Sequence, residues 1–364
     1  MLQRKTKSQR IYDKLFELLA SGHFNVGARF PSEAELVKEY NASRPTVARA
    51  LNRLVEANLL ERRAGSGTYV KATRVQQGIL GLFVPNLSDT EILDPIYKQI
   101  ATLAERNGYS LLLSGSSDSS GTISLDAVIS ATARLLDNQM AGAFFAPYEL
   151  VPNASQLNQY VMKAFASGGV PVVLIDRDIV GFPERSRHDL IGIDNFRAGY
   201  IMARHLLSLY RERIDFVVRP YSATTEIERI KGYQEALRHV GIEPSKKWVH
   251  YHDPSDTQYF AQLVRNEKVR NFVCGNDWTA VDLIVTLEEL GYPVPTSTHV
   301  VGFDDVKYAR FLKTPLTTYR QPSAEIAAVA VQALLDRIKI PDLPPRHVTL
   351  DGSLEVRSSC GALP

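Results

Sequence analysis

Apolar residues recur with helical spacing over roughly the first sixty positions of this 364-residue chain, whereas beyond residue 78 they gather into short, uninterrupted runs. Ile11, Leu15, Leu18 and Leu19 fall at i, i+4, i+7 and i+8, which predicts a helix from about Lys5 to Ser21 with Gly22 ending it. In "PSEAELVKEY", Ser32 stands three residues before Glu35, the spacing of a capping box, so a second helix is expected to run to about Tyr40. After the short "NA" turn, Ser43 is expected to cap a third helix, whose stripe is Val47, Ala50, Leu51, Leu54 and Val55. Arg44, Pro45, Thr46, Ala48, Arg49 and Asn52 then face outward. "LLERRAGSGTYV" reads as strand, tight turn, strand, with Gly65 and Gly67 supplying the positive φ such a turn needs.

The later runs are "GILGLFVP" (78–85), "YSLLLSG" (109–115), "AGAFFAP" (141–147), "VPVVLID" (170–176), "IDFVVRP" (214–220), "RNFVCGND" (270–277) and "HVVGFDD" (299–305). Runs without alternation are strands buried on both faces, hence parallel strands. Helical patterns separate most of them, such as Ile96, Ile100, Leu103 and Ala104 ahead of Asn107-Gly108. Strand and helix in alternation predict a doubly wound α/β domain. The expected organisation is a head over residues 1–71, a polar linker over 72–78 ("ATRVQQG") and a body over 79–364.

Charge divides at the same boundary. Of 42 Lys and Arg and 40 Asp and Glu, residues 1–77 hold 14 and 7, leaving 28 and 33 for the rest, so a head of +7 precedes a body of −5. A basic head of this size points to a polyanionic partner. The two cysteines, Cys274 and Cys360, are too few for a disulfide framework and lack CxxC spacing, which points to a reducing compartment and against a zinc ribbon. The basic start "MLQRKTKSQR" lacks the apolar core of a signal peptide, and no stretch reaches the roughly 18 apolar residues of a membrane helix. A cytoplasmic protein is expected.

Two helices joined by about three residues, the second opening with a polar, Arg-bearing tip, have the geometry of a helix-turn-helix, and the glycine hairpin behind them is its wing. Arg44 is the expected base reader, since guanidinium bonds guanine O6 and N7 together; Ser43 and Thr46 offer short hydroxyls to phosphate or base edges. "GARFPSEAEL", "SRPTVARALNRL" and "GSGTYV" resemble the winged-helix domain of the GntR family of bacterial regulators over nearly all of residues 8–72. The resemblance places Arg29, Glu33, Arg44, Thr46 and Gly67 at the family's DNA-facing positions; Pro45, Arg49 and Gly65 complete the expected interface. The family carries Arg directly after the residue matching Val47, where this chain has Ala48 followed by Arg49.

In the body, polar groups collect where strands end: Asp176 and Arg177, Asn276 and Asp277, Asp304 and Asp305. Open α/β sheets bind ligands at that edge. Carboxylate, amide and guanidinium, with Tyr221 and Trp278 nearby in sequence, suit a polyhydroxylated ligand. These strands, with "ERIKGYQEAL" (228–237) and "VVGFDD" ahead of "PLTTYRQP", resemble the effector domain of the LacI/GalR family over about residues 78–358. That resemblance implies two Rossmann-like lobes joined by three crossovers, with a sugar or sugar derivative in the cleft on Arg229, Asn276 and Asp304, then Asp176. It also implies a repressor more readily than an activator, and because a single recognition helix covers only a few base pairs, a homodimer on an inverted-repeat operator is expected. No enzyme and no cofactor is expected: the body has no P-loop, no GxGxxG after a strand and no lysine-centred cofactor motif, and His188, His205, His250 and His252 lack a convincing third metal ligand.

Overall fold

In the computed structural model, which describes residues 6–21, 23–71, 78–84, 93–115, 123–181 and 183–362, the first apolar stripe folds as helix α1 (Lys7–Ala20). The Thr6 hydroxyl accepts from the Gln9 N–H at its start; Gly22, the expected stop, lies outside the described residues. Helix α2 (Glu33–Glu39) opens on the capping box read from the sequence: the Glu35 carboxylate accepts from the Ser32 N–H at 2.7 Å, and the Ser32 hydroxyl from the Glu35 N–H at 3.3 Å. Helix α3 (Arg44–Glu56) corrects one expectation. Ser43 occupies the cap position without capping, because its hydroxyl pairs with that of Thr46 at 2.8 Å, and Pro45, already shaped for a first turn and lacking an N–H, helps to start the helix. Strands β1 (Leu60–Arg63) and β2 (Gly67–Val70) form the antiparallel hairpin, in which Gly65 and Gly67 have φ of +71° and +119°. Ile11, Leu15, Phe30, Leu36, Val47 and Leu51 share one core.

The chain divides into two units at Gly78 and Ile79. Apart from Gly78, the expected linker lies outside the described residues. The second unit opens with β3 (Gly78–Val84), α4 (Asp94–Arg106), β4 (Tyr109–Gly115), α5 (Leu125–Asp137), β5 (Gly142–Phe145), α6 (Ala154–Ser167), β6 (Val172–Ile175) and β7 (Asp189–Ile193). It continues through α7 (Asn195–Tyr210), β8 (Ile214–Val218), α8 (Thr224–His239), β9 (Val249–Tyr251), α9 (Thr257–Arg265), β10 (Asn271–Cys274), α10 (Asp277–Glu289), β11 (His299–Asp304) and β12 (Thr317–Arg320). It ends with α11 (Ser323–Lys339), β13 (His347–Leu350) and β14 (Ser353–Glu355).

Two six-stranded sheets result, ordered β13-β7-β6-β5-β3-β4 and β14-β12-β11-β10-β8-β9. The chain crosses between lobes three times: after β7, after β12 where α11 returns to pack on the first sheet, and between β13 and β14. Strands β5, β6, β8 and β10 are buried at every position, which is why their sequences are unbroken apolar runs. β12 pairs antiparallel with β14, a departure from the all-parallel expectation.

Strands β7, β9, β12, β13 and β14 are additions to the runs read from the sequence, and for two of them the reason is visible. In β12 "TTYR", Thr317 and Thr318 are fully buried with their hydroxyls on the Arg357 carbonyl and the Asp277 carboxylate. In β7, Asp189 is fully buried between Arg337 and Arg346. Satisfied polar side chains replace the apolar signal there.

Helices α7 and α8 meet backbone to backbone. A Cβ on Gly199 would stand 2.0 Å from the Arg229 carbonyl oxygen, and one on Gly232 1.9 Å from that of Phe196. Gly232→Ala must therefore push the helices apart, and we expect a loss of about 1–3 kcal/mol of stability, the usual cost of overpacking. Urea unfolding measures it; an unchanged midpoint would mean that the helices separate freely.

Candidate DNA interface and ligand cleft

In the head, one carboxylate ties two exposed guanidiniums together. Glu33, in the first turn of α2, accepts from Arg62 of β1 at 3.2 Å and from Arg44 at the tip of α3 at 3.4 Å. Both arginines are exposed, so these ties orient them without burying their charge. Arg29 bridges to Tyr69 of β2, and its guanidinium lies 3.3 Å from where a Cβ on Gly67 would be; glycine leaves room for it. Thr46 is half-buried beside Ser43, Arg49 donates to the Pro45 carbonyl at 3.3 Å, and Ser43, Pro45, Arg49, Gly65 and Gly67 are exposed. Arg63 stacks on Tyr69 with 4.3 Å between the guanidinium carbon and the ring centre. Recognition-helix tip and wing thus carry exposed guanidiniums and positive charge, the requirements of a phosphate-lined groove.

In the body, the ends of β5, β6, β8, β10, β11 and β12 supply one buried polar cluster. Arg177 donates to Asp176 at 2.9 Å and pairs with Glu149 beyond β5. Arg229, on α8, donates to the Asn195 side chain at 2.9 Å and the Gly275 carbonyl at 2.6 Å, lies 3.5 Å from Asp304 and covers the Phe303 ring. Asn276 caps α10 through the Thr279 N–H at 2.8 Å and donates to Glu226 at 3.0 Å. The Gln321 amide donates to Asp304 at 2.7 Å. Asp176, Arg229, Asn276 and Asp304, expected as ligand contacts, are therefore gathered together. Glu149, Arg177, Glu226 and Gln321 were not singled out as contacts and join them.

Tyr221 and Trp278 stand outside this cluster. Trp278 is 42% exposed, with the Arg219 guanidinium carbon 3.9 Å from its ring centre, and Tyr221 is 62% exposed. Of the paired carboxylates read from the sequence, two are structural. Asp305 is clamped by Arg310, Arg320 and Arg357, whose hydrogen bonds outweigh the effect of burial and hold its pKa down. Asp277 accepts from the Val306 N–H and the Thr318 hydroxyl, while burial, followed by Asp304, lifts its pKa well above the ordinary range.

The lobes touch across the cleft: the Leu150 N–H donates to the Tyr221 carbonyl at 2.9 Å and the Ala223 N–H to Glu149 at 3.2 Å. Cavities of about 300 and 240 Å³ lie elsewhere, the first lined by Ala328, Val329 and Val348 and the second by Leu112 and Leu135. The side chains of Arg177 and Arg229 fill the space between the cleft carboxylates instead. Around the cleft, three buried carboxylate and amide oxygens are left without a hydrogen-bond partner: Asp176 Oδ1, Glu226 Oε2 and Gln321 Oε1. The buried Tyr97 hydroxyl, which senses the charges of Arg177 and Asp176, has none either. Buried polar atoms left open at strand ends are what a hydroxylated ligand would complete.

The histidines have structural partners. His250 sits between Asp215 at 2.7 Å and the Tyr259 hydroxyl at 2.8 Å; His252 pairs with Asp256 at 2.8 Å and stacks on Tyr259; His205 contacts the Cys360 sulfur at 3.2 Å. Burial lowers the His188 pKa. Among the described residues no group of three His, Cys, Asp or Glu could hold a metal, and no helix is long and apolar enough to cross a membrane.

Comparison with known proteins agrees with both halves. Residues 7–70 match the family of bacterial regulatory proteins, gntR family, and residues 203–360 match the periplasmic binding protein-like domain. Over 347 residues the chain is 26% identical to the arabinose metabolism transcriptional repressor of Halalkalibacterium halodurans, covering 91% of this chain and 88% of that protein. It is 25% identical to the transcriptional regulator MalR of Streptomyces coelicolor, covering 91% and 97%. A complex of the regulator CelR with cellobiose superposes with a TM-score of 0.66 at 19% identity, covering 98% of this chain and all of that one. A ribose-bound LacI-family regulator from Enterococcus faecium gives 0.61 at 22%, covering 77% and 98%. The relatives are regulators, not enzymes.

Removing Arg177 should leave Glu149 and Asp176 facing each other without compensation. Arg177→Ala is expected to cost about 3–5 kcal/mol, as breaking a buried ion pair does. Denaturant unfolding at neutral pH checks it, and a loss below about 1 kcal/mol would place the pair in the exposed class.

Proposed function

We propose that this transcriptional regulator of the GntR/LacI type is a cytoplasmic homodimer that binds an inverted-repeat DNA site and represses until a small sugar or sugar derivative enters the cleft of its body. The observation that carries the effector half is the set of buried, unpartnered oxygens beside Arg229, at the strand ends of two lobes that bond to each other across the cleft. Relatives named for arabinose metabolism and solved structures holding ribose and cellobiose support a carbohydrate ligand. For DNA, the support is the exposed tip of α3 and the wing, tied by Glu33. One recognition helix reads only a few base pairs, so two-fold symmetry is needed for affinity and gives the operator its palindrome.

The ligand acts by preferring one lobe arrangement, and only that difference in affinity reaches the DNA. Entry requires the Leu150–Tyr221 and Glu149–Ala223 bonds to break; closure around the ligand remakes them or substitutes for them.

Arg44→Ala should weaken operator binding by about 1–3 kcal/mol and relax base preference at one position. Footprinting on palindromic and scrambled duplexes measures both, and equal protection of the two by the unmutated protein would exclude sequence-specific regulation. For the cleft, calorimetry with the sugar that releases the protein from its operator should show Asp304→Ala and Arg229→Ala losing about 1.5–3 kcal/mol each, the worth of a hydrogen bond to a charged group. Affinity unchanged in both variants would move the ligand away from this cluster.

A further inference from the structure

Six ionisable groups share the cleft: Glu149 beyond β5, Asp176 and Arg177 beyond β6, Glu226 and Arg229 on α8, and Asp304 at the end of β11. Four are carboxylates and two are guanidiniums. The guanidiniums are already engaged, Arg177 on Glu149 and Asp176, and Arg229 on Asn195, the Gly275 carbonyl and Asp304. Glu226 receives a neutral donor, Asn276, on one oxygen. Its other oxygen, Oε2, lies over Gly275, where a Cβ would approach to 2.4 Å, so the glycine makes room for a carboxylate.

Of the unpartnered buried atoms around the cleft, the oxygens of Asp176, Glu226 and Gln321, in residues 7%, 3% and 6% exposed, are acceptors, and the Tyr97 hydroxyl can donate or accept. A phosphorylated sugar would bring further acceptors and negative charge to a site already in excess of both. A neutral sugar would fill the hydrogen bonds and leave the charge. An ammonium group answers both deficits.

We propose that the ligand of this cleft carries a protonated amino group on a hydroxylated frame, as in an amino sugar, and that Glu226 and Asp176 receive that group. The assignment rests on the cleft being the effector site and narrows the chemical class of the effector. The groups facing Glu226 agree with it. Burial first, then Glu149, push its pKa up to about 7; Arg229 and the Ser222 hydroxyl pull it down, and Asp304 pushes it up again. Tyr251 and Cys274 also feel its charge. A cation bound there would hold Glu226 ionised, so binding below about pH 7 releases a proton.

The test uses the full-length protein with glucosamine, galactosamine and mannosamine against glucose, galactose and mannose, followed by calorimetry at about pH 6.5 in buffers of different ionisation heat. At least one amine should bind about ten- to a hundredfold tighter than its hydroxyl parent, with net proton release. Glu226→Gln, which retains an acceptor for Asn276 but no charge, should bring amine and parent to parity, its folding checked by operator binding; Asp176→Asn is the second variant. Parents binding as tightly as their amines, or an amine preference untouched in both variants, would overturn the assignment while leaving a sugar-responsive cleft. No binding by any of the six, nor by arabinose, ribose and cellobiose run alongside, would count against the sugar reading of the cleft, and against this inference with it.

Discussion

Arg229 cannot be displaced without disturbing the second lobe, because its guanidinium serves four masters. It donates to Asn195 at the start of α7 and to the Gly275 carbonyl beyond β10, faces Asp304 at the end of β11 and covers Phe303. A buried guanidinium is costly unless its donors are used, so the positions of two strand ends and one helix start are fixed together. The backbone contact of α7 with α8 at Gly199 and Gly232 sets how deep that guanidinium reaches, since the carbonyl that lies against Gly199 is Arg229's own. Cleft charge and lobe packing are in this sense one problem: the cation that faces the buried Asp304 carboxylate is also the pin of the fold.

The head solves an opposite problem, which is to keep charge exposed yet organised. Glu33 holds the arginines of α3 and β1 at distances where screening leaves little stability to gain, but where the side chains share one direction. Exchanging Glu33 for another anion at either guanidinium therefore costs little. The capping box at Ser32 and Glu35 fixes the start of α2, and with it the position of Glu33 in the first turn.

Elements whose stability comes from apolar burial were legible in the sequence, and those held by satisfied polar groups were not. The stripe of α3 and the runs of β5, β6, β8 and β10 declare themselves through composition. Thr317, Thr318 and Asp189 lie in strands just as buried, but their partners Arg357, Asp277, Arg337 and Arg346 are distant along the chain, so no local pattern marks them. The cleft shows the same division. Asp176, Asn276 and Asp304 follow apolar runs and were found by position, whereas Glu226 sits in "TTEIERIKGY", where a glutamate in an amphipathic helix reads as a solvent-facing residue. Its burial depends on Gly275, some fifty residues on. Ser43 was misjudged because the competing hydroxyl of Thr46 offers it a nearer partner than the backbone.

The three crossings between sheets have a consequence for how the chain is made. The head has all of its strands and helices by Val70, so it can fold as soon as that stretch leaves the ribosome. The first sheet waits for β13, and the second for β14, both supplied by the last strands of the chain. Neither lobe closes its edge until synthesis is almost complete, and during that interval a finished basic head precedes two unfinished sheets. A ribosome that stops short of residue 347 releases a complete basic head joined to a body that lacks an edge strand in each lobe.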